Sequence, residues 1–166
     1  MWPLQDRESM NAFYGDPDTN RDGIPDRKWE SENLVRFKTP YPMVLAWNDK
    51  PLQRITIHKK CYESLERILT RIGQEFTEEE IRRFQLNRFG GTYNFRMTRG
   101  GTRLSIHSWG AAIDLAPTLN PLGRTHDAAS FMMPEKAVKI FESEGWIWGG
   151  KWKRPDGMHF QAARIA

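Results

Sequence analysis

A single cysteine, Cys61, stands in the whole chain, so no intrachain disulfide can form and the fold must rest on its apolar core and on any bound metal. No apolar run approaches the roughly 20 residues that a membrane span needs. The opening MWPLQDRESM has no basic region followed by an apolar stretch of the secretory kind. These absences predict a soluble chain made in the cytoplasm, acting elsewhere only if something else releases it. There is also no basic run with interleaved aromatics, no recognisable nucleic-acid module, no internal repeat and no low-complexity linker. Nucleic acid is therefore a poor candidate for partner.

What is present suffices for one core. At 166 residues and 39% hydrophobic, the chain can bury a sizeable interior and gives no reason to expect two. The expectation is one monomeric domain over 1–166. Its 25 basic residues are interleaved with 21 acidic ones for a net charge of +4, with a pI near 9.3. An excess spread this thinly suits an anionic polymer as partner. Residues 1–54 are rich in Pro, Asp and Asn with little periodicity, which predicts an irregular segment wrapped on a core at 55–166.

From Ile57 the pattern turns helical. Ile57, Cys61, Leu65, Ile68, Leu69 and Ile72 fall on one face, with Gly73 as a stop. Thr77 and Glu80 form a capping box for a short helix through Phe84. Pro134 opens a third helix with Ala137, Val138, Ile140 and Phe141 inward and Gly145 at its end. Strand candidates are Thr92 to Arg96, Ala111 to Leu115, Trp146 to Trp148 and Met158 to Gln161. Few helices with short scattered strands predict an α+β fold around a small antiparallel sheet.

The chemistry begins in LSIHSWGAAIDL, residues 104–115. His107 and Asp114 lie an odd number of positions apart, so they would not share a face of one straight strand. Ser108, Trp109 and Gly110 supply a turn, after which a loop histidine and a strand aspartate can converge. Zinc needs at least three such ligands. The third candidate is in WIWGGKWKRPDGMHFQ, where His159 opens a short strand with Asp156 three residues before it. That spacing lets a carboxylate reach the water of a metal site without binding the metal. His58 and His126 fall instead on the helix and in a polar loop. Trp152, after a flexible Gly-Gly, is expected to line a cleft; Ser105 either orients substrate or caps the turn, and the turn is favoured.

A second constellation is DPDTNRDGIPDRKWE, residues 16–30. Oxygen side chains recur at Asp18, Asn20, Asp22 and Asp26, with Gly23 at the sixth position and the Ile24 carbonyl at the seventh, as in the front half of a calcium loop. The back half departs, with Trp29 where a bidentate glutamate belongs.

SIHSWGAAID and PDGMHF, in that order with EGWIWGGKW between them, resemble the signature of the zinc D-alanyl-D-alanine carboxypeptidase family. That family includes the vancomycin-resistance dipeptidases and carboxypeptidases and the phage L-alanyl-D-glutamate endopeptidases. The likeness covers approximately residues 54–163 and, more loosely, WPLQDRESMNAFYG at the start. It implies a hedgehog/D-Ala-D-Ala peptidase-like fold with zinc on His107, Asp114 and His159 and with Asp156 as base, where many members carry the longer glutamate. It also implies a basic residue ahead of the first histidine that steadies the oxyanion. Arg96, Arg99 and Arg103 all precede it, and Arg96, ending a strand candidate, is the choice. The implied function is a zinc peptidase of bacterial peptidoglycan stem peptides, acting as a phage or prophage lysin, with either endopeptidase or carboxypeptidase activity. The rival reading is a zinc-containing wall-binding or virion structural protein of the same fold without turnover.

Overall fold

Asp6 begins the first ordered element by accepting the Ser9 N–H at 2.9 Å, which satisfies one of the free donors at the start of a helix. The helix it caps, α1 (Arg7–Tyr14), buries Met10 and Tyr14 in the computed structural model, which describes residues 1–166. A second short helix, α2 (Arg27–Asn33), turns Trp29 inward. Two long antiparallel strands follow, β1 (Leu34–Leu45) and β2 (Pro51–His58). Residues 1–54 are thus built largely from regular elements, contrary to the expectation of an irregular wrap. Pro40 and Pro42 concealed the strand; both fall where the β1–β2 register shifts between Lys38 and Met43, and a residue without an N–H is tolerated at such an irregularity.

The helical pattern read from Ile57 merges two elements. Ile55 and Ile57 belong to β2, His58 ends it, and the helix α3 begins only at Tyr62 and runs to Glu75. Positions 57 and 61 match a helical face by spacing alone, because a strand residue four before a helical one satisfies the same template. Leu65, Ile68, Leu69 and Ile72 are all fully buried, each stabilising by about 1.5–3 kcal/mol. Gly73 does not stop α3. A Cβ there would meet the Tyr41 ring at 3.1 Å, so this glycine permits the close approach of helix and β1.

Beyond it, α4 (Glu78–Arg83) has the expected capping box of Thr77 and Glu80. Strand β3 (Arg88–Gly91) pairs parallel with the end of β1 and antiparallel with β4 (Ala112–Leu115). No strand covers 92–96; the glycines of β3 hid the true one. Helix α5 (Glu135–Ser143) follows Pro134 and buries Ala137, Val138, Ile140 and Phe141. Strands β5 (Ile147–Trp148) and β6 (His159–Gln161) complete a sheet in the order β2-β1-β3-β4-β6-β5. The fold is α+β as expected, but the sheet is mixed rather than antiparallel. The chain from β1 to β3 passes through β2 and two helices, long enough for a parallel return.

One cluster of 35 buried residues runs from Met10 to Ala163. The two ends of the chain are stitched together beside β6. The Gln5 N–H donates to the Arg164 carbonyl at 2.8 Å and the Arg164 N–H to the Pro3 carbonyl at 2.7 Å. The Tyr14 hydroxyl donates to the Ala162 carbonyl at 2.7 Å. No helix is long and apolar enough to cross a membrane.

A candidate metal centre

Strands β4 and β6 are neighbours, and their register sets Asp114 directly opposite His159. His107 arrives from the short helical turn Ile106–Trp109, which Ser105 caps by accepting the His107 N–H and which Gly110 ends in the left-handed region at φ 64. A Cβ at Gly110 would lie 2.9 Å from Leu34 Cδ2 and 3.0 Å from the His58 backbone nitrogen. Glycine is therefore required both by the turn and by its docking on β2.

These elements bring the three side chains to one point. His107 Nε2 and His159 Nδ1 each stand 3.1 Å from Asp114 Oδ1. All the facing atoms lie within 4.8 Å of one another, and the two histidines are buried. The far side of each ring is also fixed. His107 Nδ1 is 2.8 Å from the Thr92 carbonyl, and His159 Nε2 is 3.0 Å from Gln161 Oε1. The Gln161 amide nitrogen donates to the Ala163 carbonyl and to Gln5 Oε1, so its oxygen must be the atom turned to His159. Both acceptors demand an N–H from the ring. In the neutral tautomers the nitrogens facing Asp114 then carry lone pairs. Two imidazole lone pairs and a carboxylate converging on one point require a positive charge between them, which a divalent ion supplies and which fits this donor set.

The electrostatics without an ion report the same need. Burial pushes Asp114 toward protonation, but the two histidines overcome it and hold the carboxyl well below the ordinary range. Burial likewise opposes charge on His159, and Asp114 and Asp156 outweigh it, raising that imidazole.

Asp156 shares the cleft of about 820 Å³ into which the cluster opens. Its backbone is held by a 2.8 Å bond from its N–H to the Gly149 carbonyl, and its own carbonyl accepts the His159 N–H at 3.1 Å. Burial lifts Asp156 above its usual carboxylate value, with His159 opposing, and its Oδ1 is buried without a partner. Such an oxygen can take a proton from a water in the cleft. The Trp152 ring leans over His159, centroids 5.5 Å apart, and borders the cleft. Arg96 lines it as well; it is not on a strand, yet its backbone is pinned, the N–H donating to Ser108 Oγ at 3.1 Å and the carbonyl accepting from it at 3.0 Å. Arg99 and Arg103 border the same cleft.

Residues 99–162 match the model of the D-alanyl-D-alanine carboxypeptidase family. The matched stretch, less than half of the chain, is similar to that family. No curated protein and no solved structure matches the chain. The matched segment contains His107, Asp114, His159, Trp152 and Asp156, while Arg96 lies just before it. It leaves out α1 and the residues leading into it, of which Gln5, Asp6 and Arg7 form part of the cleft wall. Sequence reasoning missed these, and no local signal could have found them, since they reach the cleft only by pairing with the far end of the chain. Gln161 was also missed. Its signal was available: in an extended strand it shares a face with His159, two positions away.

The calcium expectation is not supported. The Asp18 carboxylate accepts the N–H groups of Asp22 at 3.2 Å and Gly23 at 3.0 Å. Asn20 Oδ1 accepts the Asp22 N–H at 3.2 Å, and Asp22 Oδ1 accepts the Ile24 N–H at 2.8 Å. Asp26 is turned to the Thr19 N–H at 3.1 Å. The carboxylates do not gather; His107, Asp114 and His159 are the one group whose ligand atoms do. Short polar side chains closing on their own backbone make a knit turn.

Proposed function

We propose that the protein is a zinc peptidase that hydrolyses an amide bond in peptidoglycan stem peptides, as a wall-degrading lysin released by lysis or carried by a virion. The observation that carries this reading is the convergence of two tautomer-locked imidazoles and Asp114 on one point beside Asp156. His107 Nε2, Asp114 and His159 Nδ1 would hold the zinc. The ion, when bound, supplies Lewis acidity and makes a water acidic enough to ionise near pH ~7. Asp156 takes the proton of the attacking water through its unpartnered oxygen and passes it to the leaving amine. Arg96, on its pinned backbone, turns a permanent positive charge toward the carbonyl oxygen as it gains charge. Trp152 packs on the peptide beside His159. Ser105 acts by capping the turn that carries His107.

The zinc-loaded protein is incubated with purified peptidoglycan and the released ends are read by mass spectrometry. New N-terminal D-Glu marks an endopeptidase and free D-Ala a carboxypeptidase. No release from zinc-loaded protein would overturn the reading in favour of a binding or structural role.

A further inference from the structure

Five buried side-chain polar atoms in the chain have no hydrogen-bond partner, and three of them, Arg7 Nε, Trp152 Nε1 and Asp156 Oδ1, belong to residues of the cleft. A buried donor without an acceptor is a standing destabilisation, so in a folded protein it calls for a functional account. Asp156 has one as the base. Arg7 and Trp152 present the opposite polarity: both are donors, and both lack an anion or a carbonyl.

The charge around them points the same way. Arg7, Arg96, Arg99, Arg103, Lys153 and Arg154 all line the cleft, and none forms an ion pair, whereas Arg67, Arg71, Arg83 and Arg88 elsewhere on the surface do. None of the three acids of the cleft forms an ion pair with them, although Asp156 feels the charge of Arg99. Asp6 has both oxygens on Ser9, and Asp114 faces the imidazoles. Unpaired guanidinium groups gathered in a concave wall attract a negatively charged ligand and grip a carboxylate through paired N–H donors.

Arg7 lies outside the stretch that matches the family model. It opens α1, which is fixed to the half that carries His107, Asp114 and His159 by Tyr14 on the Ala162 carbonyl, by the Trp109 indole N–H on Asn11 Oδ1 at 2.9 Å, and, through the residues before it, by Gln161 on Gln5 at 3.1 Å. A donor on a rigid, anchored element loses little freedom when it binds.

We infer that Arg7 is a carboxylate-recognition residue of the cleft and that the substrate is an acidic peptide bearing a free carboxylate away from the bond that is cut. The inference rests on the peptidase reading for the word substrate, while the carboxylate site stands on the cleft alone. The probes are a stem pentapeptide and its forms amidated singly at each carboxylate, titrated by calorimetry into the zinc-loaded Asp156→Asn protein. One amidated form is expected to bind about tenfold more weakly than the parent, the usual worth of a charged hydrogen bond. Adding Arg7→Met is expected to weaken the parent by the same factor and to abolish the preference. Equal affinity for the parent and every amidated form, or an unchanged preference in Arg7→Met, overturns the inference. If Arg7→Met loses its cooperative melt, Arg7→Lys replaces it, with the preference expected to fall at least about threefold and an unchanged preference again overturning the assignment. The two readings fail separately. Preferential binding by a wild-type protein that cleaves none of the peptides sinks the peptidase and keeps the carboxylate site; cleavage of all forms with equal KM does the reverse.

Discussion

Two stretches of this chain carry oxygen and nitrogen side chains at metal-like spacing, and they meet different ends. In the loop from Asp16 to Asp26 each carboxylate finds a backbone N–H a few residues away and is satisfied locally. At the centre, His107 on a helical turn and Asp114 and His159 on two strands come from three elements, and the groups that tie down the outer ring nitrogens, Thr92 and Gln161, leave the inner nitrogens without any partner but Asp114. A ligand set is therefore recognised less by which residues recur than by whether their free lone pairs remain free after the chain has folded. Side chains that can reach their own turn are consumed by it. Those held on separate elements are not.

The comparison can be broken hardest at its centre. His159→Ala should abolish both zinc binding and wall hydrolysis, while Asp156→Ala should keep one zinc per chain and lose hydrolysis by about 10²–10⁴-fold, the range of general-base catalysis. Metal content by atomic spectroscopy beside peptide release checks both; full activity in Asp156→Ala would remove it from the role of base. Next in size is Gln161→Met, which frees the His159 tautomer without touching a ligand. Zinc affinity by competition with a chromogenic chelator should drop about 10–100-fold, and an unchanged affinity would show that the Gln161 bond does not orient the ring.

His58 supplies a histidine of the other kind, buried and fully satisfied. Its Nε2 donates to the Tyr14 carbonyl at 2.9 Å and its Nδ1 accepts the Lys60 N–H at 3.0 Å. Burial pushes it down from 6.5 to about 4, so the folded chain prefers the neutral ring. Stability from this group is complete above pH 6.5, falls as the pH drops from 6.5 toward 4, and levels off below. The loss is roughly 3 kcal/mol. Urea unfolding across that range checks it, and the slope should shrink in His58→Gln. A slope unchanged in that variant would place the acid sensitivity elsewhere.

The smallest effects belong to the loop. Added calcium should leave the unfolding temperature of the zinc-loaded protein unmoved, and Asp22→Asn should keep both zinc and hydrolysis, with a change in stability within about 1 kcal/mol. A calcium-dependent rise in unfolding temperature that Asp22→Asn abolishes would restore the site the sequence suggested.

Much of the centre was readable from residues alone. Ser105 through Asp114 and Pro155 through Phe160 contain their own turn chemistry, so the turn before β4, the strands β4 and β6 and the acid three residues before His159 follow from local pattern. The first third was not readable. The prolines of β1 sit at a register shift that exists only once β2 is paired, and a periodicity that spans Ile57 to Ile72 does not reveal that a strand ends and a helix begins within it.

By itself the sequence determined the capping box of α4, the buried faces of α3 and α5, and the set of side chains able to bind a metal and carry a proton, because capping, burial and ligand chemistry act between near neighbours or within one residue. Only the tertiary structure decided that the sheet is mixed, that Gln161 locks His159, that Arg7 reaches the cleft and that the Asp18 loop closes on itself. Each of these depends on which distant groups become neighbours, and that is set by strand register and packing across the whole core.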